Sequence, residues 1–399
     1  MYDPKEAIAV YRGWEAYEQT QPKGIQGEVI DFDLVPEITD SVDFHSRDEI
    51  LARLLALRDK VAVADEISEF ILAKLNAGIY YLRILISGDL PEFYEHTRNM
   101  LGKTPELVSN GQVEEQKQVV LRLLAEHGVV WPNGRVDFRQ FNEFNDSIRV
   151  FEEDAENEAR EKEEILLPLV KELLGFADLD VPHRIELVRE DAYWGGWARG
   201  KKGDLLLQYN FHPNQHWHKG DMEYLTLHEV CGHFVHAAAL ARGIEEGRLD
   251  PFIGIATVQD PHGFMGEGIA DALTYFFPDD LPLSPLAILS REQRNWRDFL
   301  NNNAHVLINM GQAEDVLLGY LLQNPFSTAE RARLNLRTWV SDPLLRSYQY
   351  AYGIALKYHR VFAERMTRQQ KIKYLRYAFT RYVTPRRLIE EANKIIEQA

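Results

Sequence analysis

The chain holds a single cysteine, Cys231, in 399 residues. An intrachain disulfide is thereby excluded, and the composition suits a reducing compartment. No uninterrupted run of about 20 apolar residues is present, so no transmembrane helix is expected. The opening Met1-Tyr2-Asp3-Pro4-Lys5-Glu6 has neither the basic nor the apolar region of a leader, and a cytoplasmic protein is expected. Positive charge is in deficit: 45 Lys and Arg against 62 Asp and Glu leave a formal net charge of −17. That balance argues against nucleic acid or an anionic membrane as partner. Internal repeats and low-complexity linkers are also missing. The glycine-rich stretch from Trp194 to Gly203 has neither P-loop nor dinucleotide spacing, so it gives no expectation of a nucleotide site.

What is present is mostly helical periodicity, and the reading is a mainly α fold. Residues 1–175 are expected to form an N-terminal helical lobe. It contains helices over Asp48–Leu57 and Val61–Ser87, one opened by Pro105 and running toward Gly128, and a long one from Phe138 to about Leu174. A turn is expected at Trp131-Pro132-Asn133-Gly134. The charged middle of the long helix, Glu152 to Glu164, reads as a solvated face. Residues 176–399 form the second lobe. Its β-signal is confined to Arg184–Arg189 and Gly203–Asn210, with the tryptophan- and glycine-rich stretch between them as a turn or lid. Helices recur from Arg291 to the end, and the basic segment from Arg365 is expected to pair internally.

Leu225 to Leu240 is apolar and helix-favouring, yet it carries His228, Glu229, His233 and His236. Burying such groups costs free energy unless they are paired or bound to a metal. Two histidines around a glutamate suggest the zinc-hydrolase pattern H-E-x-x-H, in which i and i+4 side chains reach one ion. Here His228 and His233 are at i and i+5, about 140° apart on a regular helix. A π-bulge beside Gly232 would bring them together, and it is the expected local structure. A competing set, Glu229, His233 and His236 at i, i+4 and i+7, would suit an unbulged helix and a non-haem iron or manganese oxygenase. His216 and His218 are read as a polar loop, and Asp221 as the N-cap of the motif helix.

The segment His228-Glu229-Val230-Cys231-Gly232-His233 resembles the H-E-x-x-G-H motif of the dipeptidyl peptidase III family. Leu225-Thr226-Leu227-His228-Glu229 with Gly232-His233 is also similar to a bacterial H-E-x-x-P-G-H-H group, distantly like the thermostable carboxypeptidases. The proline and paired histidine of that group are absent. Both are gluzincins, and the resemblance spans roughly residues 200–355. It implies a helical catalytic lobe with a small β-hairpin or sheet beside the zinc helix, and a glutamate as third ligand. Gly266-Glu267-Gly268-Ile269-Ala270-Asp271 matches the pattern in which that glutamate, Glu267, binds zinc. Asp271 then hydrogen-bonds a ligand histidine, and His236 becomes a supporting or core residue. The resemblance also implies an edge strand before the zinc helix, for which Leu205–Tyr209 is the candidate, and an oxyanion-binding tyrosine. Tyr350 is first choice for that tyrosine and Tyr352 second, with simple helix packing as the competing reading.

The expected function is a zinc-dependent hydrolase of peptides or small amides. His228, His233 and Glu267 would hold Zn2+, and Glu229 would act as general base on the attacking water. The oxygenase-type reading stands as its alternative.

Overall fold

The computed structural model describes residues 2–21, 29–130, 138–192, 194–213 and 215–398. The turn expected at residues 131–134 lies outside them. Helix α1 (Pro4–Gln19) and strand β1 (Phe32–Asp33) come first. They are followed by α2 (Arg47–Arg58), α3 (Glu66–Ser87), α4 (Phe93–Leu101), α5 (Asn110–Glu126), α6 (Phe138–Ser147) and α7 (Glu152–Leu174). Strands β2 (His183–Val188), β3 (Gly196–Lys201) and β4 (Asp204–Asn210) lead into α8 (Lys219–Leu225), a π-helical segment (Thr226–Phe234) and α9 (Val235–Glu245). A short strand β5 (Ile255–Ala256) precedes α10 (His262–Phe276). The chain closes with α11 (Pro285–Asn309), α12 (Glu314–Leu321), α13 (Ala329–Ser341), α14 (Leu345–Arg365), α15 (Arg368–Phe379) and α16 (Pro385–Glu397). The fold is mainly α with one small mixed sheet.

Caps decide where several helices begin. Asp65 accepts the Ser68 N–H and starts α3 at Glu66, five residues after the expected Val61. Ser109 and Gln112 form the same reciprocal box and start α5 at Asn110, not at Pro105. The long helix expected from Phe138 is two helices. Between them Arg149 pairs with His218, the Val150 N–H donates to the Trp217 carbonyl at 2.9 Å, and the Lys219 N–H donates to the Ile148 carbonyl at 2.9 Å. A tertiary pairing has taken backbone groups that a helix would have used. At the motif helix, Asp221 is the third residue of α8. It accepts the N–H of His218, which occupies the N-cap position expected for Asp221.

The sheet order is β2-β4-β3-β1-β5. Strand β4 is therefore interior, paired parallel with β2 and antiparallel with β3. This corrects the expectation that Leu205–Tyr209 is an edge. The presumed turn or lid contributes β3, with Trp197 opposite Gln208. Strand β1 meets β3 only at Gly200 and Lys201. Among the described residues, Gly196–Arg199 thus has no partner strand on that side.

Residues before and after position 175 share one apolar core, reaching from Ile8 and Trp14 through Phe234 and Trp296 to Leu388. Strand β1, from the first segment, sits inside the sheet of the second. Helix α3 is, among the described residues, the one long and apolar enough to cross a membrane by length and composition, which the sequence reading did not register. Here Phe70, Leu75 and Leu82 on it are fully buried. The basic C-terminal segment pairs internally as expected: Arg381 meets Glu66 at 2.6 Å, and Arg386 and Arg387 each meet Glu69 at 2.8 Å.

Candidate metal centre

The chain is π-helical from Thr226 to Phe234, as the i, i+5 spacing of the histidines requires. The wider turn brings His228 Nε2 to within 3.2 Å of His233 Nε2. Gly232 is present for a reason other than backbone freedom. A Cβ placed on it would lie 2.6 Å from the Cβ of Ala270 on α10, so a side chain there would push the two motif helices apart. That close approach delivers Glu267. Its Oε2 stands 3.4 Å from His228 Nε2 and 3.5 Å from His233 Nε2.

This oxygen is buried and has no hydrogen-bond donor among the described residues. Three donor atoms separated by 3.2, 3.4 and 3.5 Å match one face of a tetrahedron whose centre-to-corner bonds are about 2.0–2.1 Å and whose edges are about 3.4 Å. The donor set is of the type that holds a divalent ion. Glu229 is the second carboxylate in the group. Its Oε1 lies 4.0 Å from His228 Nε2, and its ligating atom falls within 4.8 Å of those of both histidines. Glu267 is nearer to both rings than Glu229 is. Cys231, between the ligands in sequence, is buried in the core, and burial raises its thiol pKa.

A layer of partners fixes the first ligand. Asp271 Oδ1 lies 2.7 Å from His228 Nδ1 and accepts the Tyr224 hydroxyl at 2.9 Å. With Asp271 against Nδ1, Nε2 is the ring atom turned to His233 and Glu267. Burial opposes charge on His228, but Asp271 and Glu229 outweigh it and raise its pKa to about 10. Burial works against ionised Glu267, and the two histidines overcome it, holding its pKa well below the ordinary range. His236 is buried against Phe379 and Tyr382, and burial drives its pKa down to about 3. Its Nε2 is unpartnered among the described residues. The unbulged face of Glu229, His233 and His236 is not formed.

The tyrosine placed in the site is Tyr348. Its hydroxyl donates to Glu267 Oε1 at 3.2 Å and lies 2.8 Å from the hydroxyl of Tyr352. Tyr350 is elsewhere: its hydroxyl accepts the Glu106 N–H at 2.6 Å. The correction follows from helical geometry. Tyr348 and Tyr352 at i and i+4 share the face of α14 packed on α10, whereas Tyr350 is about 200° around the helix from Tyr348. Weighing all three faces of α14 against the face that must meet α10 would have found Tyr348.

Strand β3 supplies the nearest backbone. A Cβ placed on Gly196 would sit 3.5 Å from Glu229 Oε1, so the open stretch of β3 begins at the carboxylate. Trp194 and Trp197 form an edge-to-face pair at 5.3 Å just beyond it. His216 and His218 are not part of the donor group, and His218 lies 3.1 Å from Asp221.

No family model matches this sequence, and no curated protein is significantly similar to it. Among solved structures the chain is similar to that of the putative lipoprotein from Colwellia psychrerythraea, with a TM-score of 0.54 and 13% sequence identity. The match covers 89% of this chain and 68% of that one, and at this identity it is a likeness of fold.

Proposed function

We propose that the protein is a metal-dependent hydrolase of peptide or amide bonds, with zinc as the ion. The observation that carries the proposal is the convergence of His228, His233 and Glu267 at tetrahedral separations, with Glu229 alongside. His228, His233 and Glu267 would hold the ion. When bound, it supplies Lewis acidity to a carbonyl oxygen and acidifies a water.

The remaining steps belong to the chain. Glu229 reaches the same group of atoms but stands farther from His228 than Glu267 does, at 4.0 Å against 3.4 Å, which frees it for proton transfer. Its Oε1 takes the proton of the attacking water and passes it to the leaving nitrogen. Tyr348 and Tyr352 present hydroxyls beside Glu267, where negative charge develops on the carbonyl oxygen. The edge of β3 at Gly196–Arg199, unpaired among the described residues, favours a peptide. An extended chain can add there through main-chain hydrogen bonds, reaching Glu229 at Gly196.

Metal analysis of wild type and His233→Ala, purified without added metal, tests the reading. About one zinc per chain, absent from the variant, together with peptide hydrolysis lost in Glu229→Gln, is the expected result. Iron or manganese in place of zinc would move the assignment to an oxygenase-type enzyme. No metal even after reconstitution would refute both.

A further inference from the structure

Strand β1 lies between β3 and β5 in the sheet beside the proposed metal centre. Phe32 of β1 is flanked by Gly200 on β3 and Ala256 on β5. Strand β1 is only two residues long, and Val29 and Ile30 before it turn to the Glu15 carboxylate, donating their N–H groups at 2.9 and 3.1 Å. Gly196–Arg199 and the turn that follows β5 therefore lie on either side of the line that β1 begins. The turn ends at His262.

An unusually well-anchored group holds His262. Its Nδ1 bonds to Asp260 Oδ1, and its backbone N–H donates to the same oxygen at 3.1 Å. The other oxygen of Asp260 receives Lys74 Nζ at 2.9 Å, the Thr257 N–H at 3.2 Å and the Thr257 hydroxyl at 2.9 Å. Lys74 and Asp260 are 0% and 1% exposed, and Lys74 also donates to the Ile255 carbonyl. Tyr382 packs against the imidazole at 4.8 Å.

An ion pair this deep carries a desolvation cost that an apolar pair would avoid. What it secures here is the orientation of one ring that is itself 15% exposed. Nε2 of that ring has no hydrogen-bond partner among the described residues. A Cβ placed on Gly266 would lie 3.7 Å from His262 Cδ2 and 3.9 Å from His233 Cε1. The two imidazoles thus flank a bare glycine, within about two residues' length of extended chain from each other.

Resting on the metallopeptidase reading, we infer that His262 is a substrate-contacting residue of the site, offering Nε2 to the backbone of an extended peptide bound along β3. Lys74 already balances the charge of Asp260. The ring therefore gives its Nδ1–H to Asp260 and turns the lone pair of Nε2 to a substrate N–H. Asp260 and Lys74 are positioning residues that act through His262.

Calorimetry on the zinc-loaded protein tests this with two probes. Acetohydroxamate reaches only the metal. A phosphinic tetra-alanine, in which a phosphinate replaces the central amide, extends along the cleft on both sides. The expected result is that His262→Ala weakens the phosphinic peptide about tenfold, the upper range for one lost hydrogen bond. Acetohydroxamate affinity and zinc content stay unchanged, and His262→Gln recovers part of the loss. Equal weakening of both probes would mean that His262 acts on the metal ligands and would overturn the assignment, as would no change in either. If wild type binds zinc but His262→Ala is unfolded by circular dichroism, the comparison rests on His262→Gln alone, read by the same criteria. Failure of the wild-type protein to bind either probe would sink the hydrolase reading itself, and this inference with it.

Discussion

Two sets of histidines differ in what surrounds them. His228 and His233 face each other and a carboxylate, with Asp271 and Glu229 close by. His96, His305 and His359 sit among rings. His305 is sandwiched between Trp339 at 4.6 Å and Phe93 at 5.0 Å, and His359 donates its Nδ1–H to the Ala355 carbonyl at 2.8 Å beside Phe264 and Phe362. His228 is as deeply buried as the second set, yet its pKa direction opposes theirs. Carboxylates raise His228 to about 10, whereas burial lowers His96 to about 3 and His359 to about 4. A buried histidine is evidently no sign of a site by itself. Convergent acidic oxygens are what distinguish a ligand from a polar piece of core.

Substitution should separate the two sets most sharply in metal content. His233→Ala is expected to lose the ion entirely, while His359→Ala keeps it and costs about 3 kcal/mol of folding stability through the cavity left in the core. Elemental analysis and chemical denaturation of both variants decide this, and retention of stoichiometric metal by His233→Ala would erase the distinction.

A smaller effect is expected when the ligands are left intact. Glu229→Gln should retain metal and lose about 10²- to 10⁴-fold in turnover of a responsive peptide. Near-wild-type turnover would remove Glu229 as the base.

The tyrosines of α14 offer the same contrast on one helix. Tyr348→Phe is expected to reduce kcat by about 10²-fold. Tyr350→Phe should leave kcat within about twofold and cost about 1 kcal/mol of stability, because its hydroxyl serves the Glu106 backbone. If Tyr350→Phe proves the more damaging to turnover, the face assignment on α14 is wrong.

The last contrast is the dependence of stability on pH. His96 and His359 are held neutral in the folded chain, with values depressed from the ordinary 6.5 to about 3 and about 4. The unfolded chain therefore binds more protons as pH drops below 6.5. Stability is full above that value and falls through the window from 6.5 to about 4, by about 1 kcal/mol per pH unit for each group. Denaturation at pH 7 and pH 5 should show this loss, and His359→Phe should shrink it. An unchanged pH slope in that variant would show that His359 is not a contributor.

Much of the centre was legible in the chain itself. The i, i+5 spacing of His228 and His233 demands a wider helical turn if both are to reach one ion, and the π-helical segment is there. Glu267 and Asp271, four residues apart, had to lie on one helix face. Those relations are local, fixed by the 3.6-residue periodicity and its interruption. The mainly helical class followed from the same periodicity.

Tertiary contacts decided the rest. The Ser109 and Asp65 caps that set two helix starts are local, but the pairing of Arg149 with His218, distant in sequence, divided one expected helix into two. Strand β4 is interior because β2 pairs with it in parallel on the side away from β3, and β1, from over 150 positions away, covers only the end of β3; no local pattern reports either pairing. Gly232 was legible as special, but its reason, the 2.6 Å approach to Ala270, exists only once the two motif helices are packed. The choice of Tyr348 over Tyr350 likewise waited on which face of α14 meets α10. Sequence determined the chemistry carried on each helix, because periodicity is a property of the local chain. Packing decided which chemistries meet, because that is settled by contacts between segments distant in sequence.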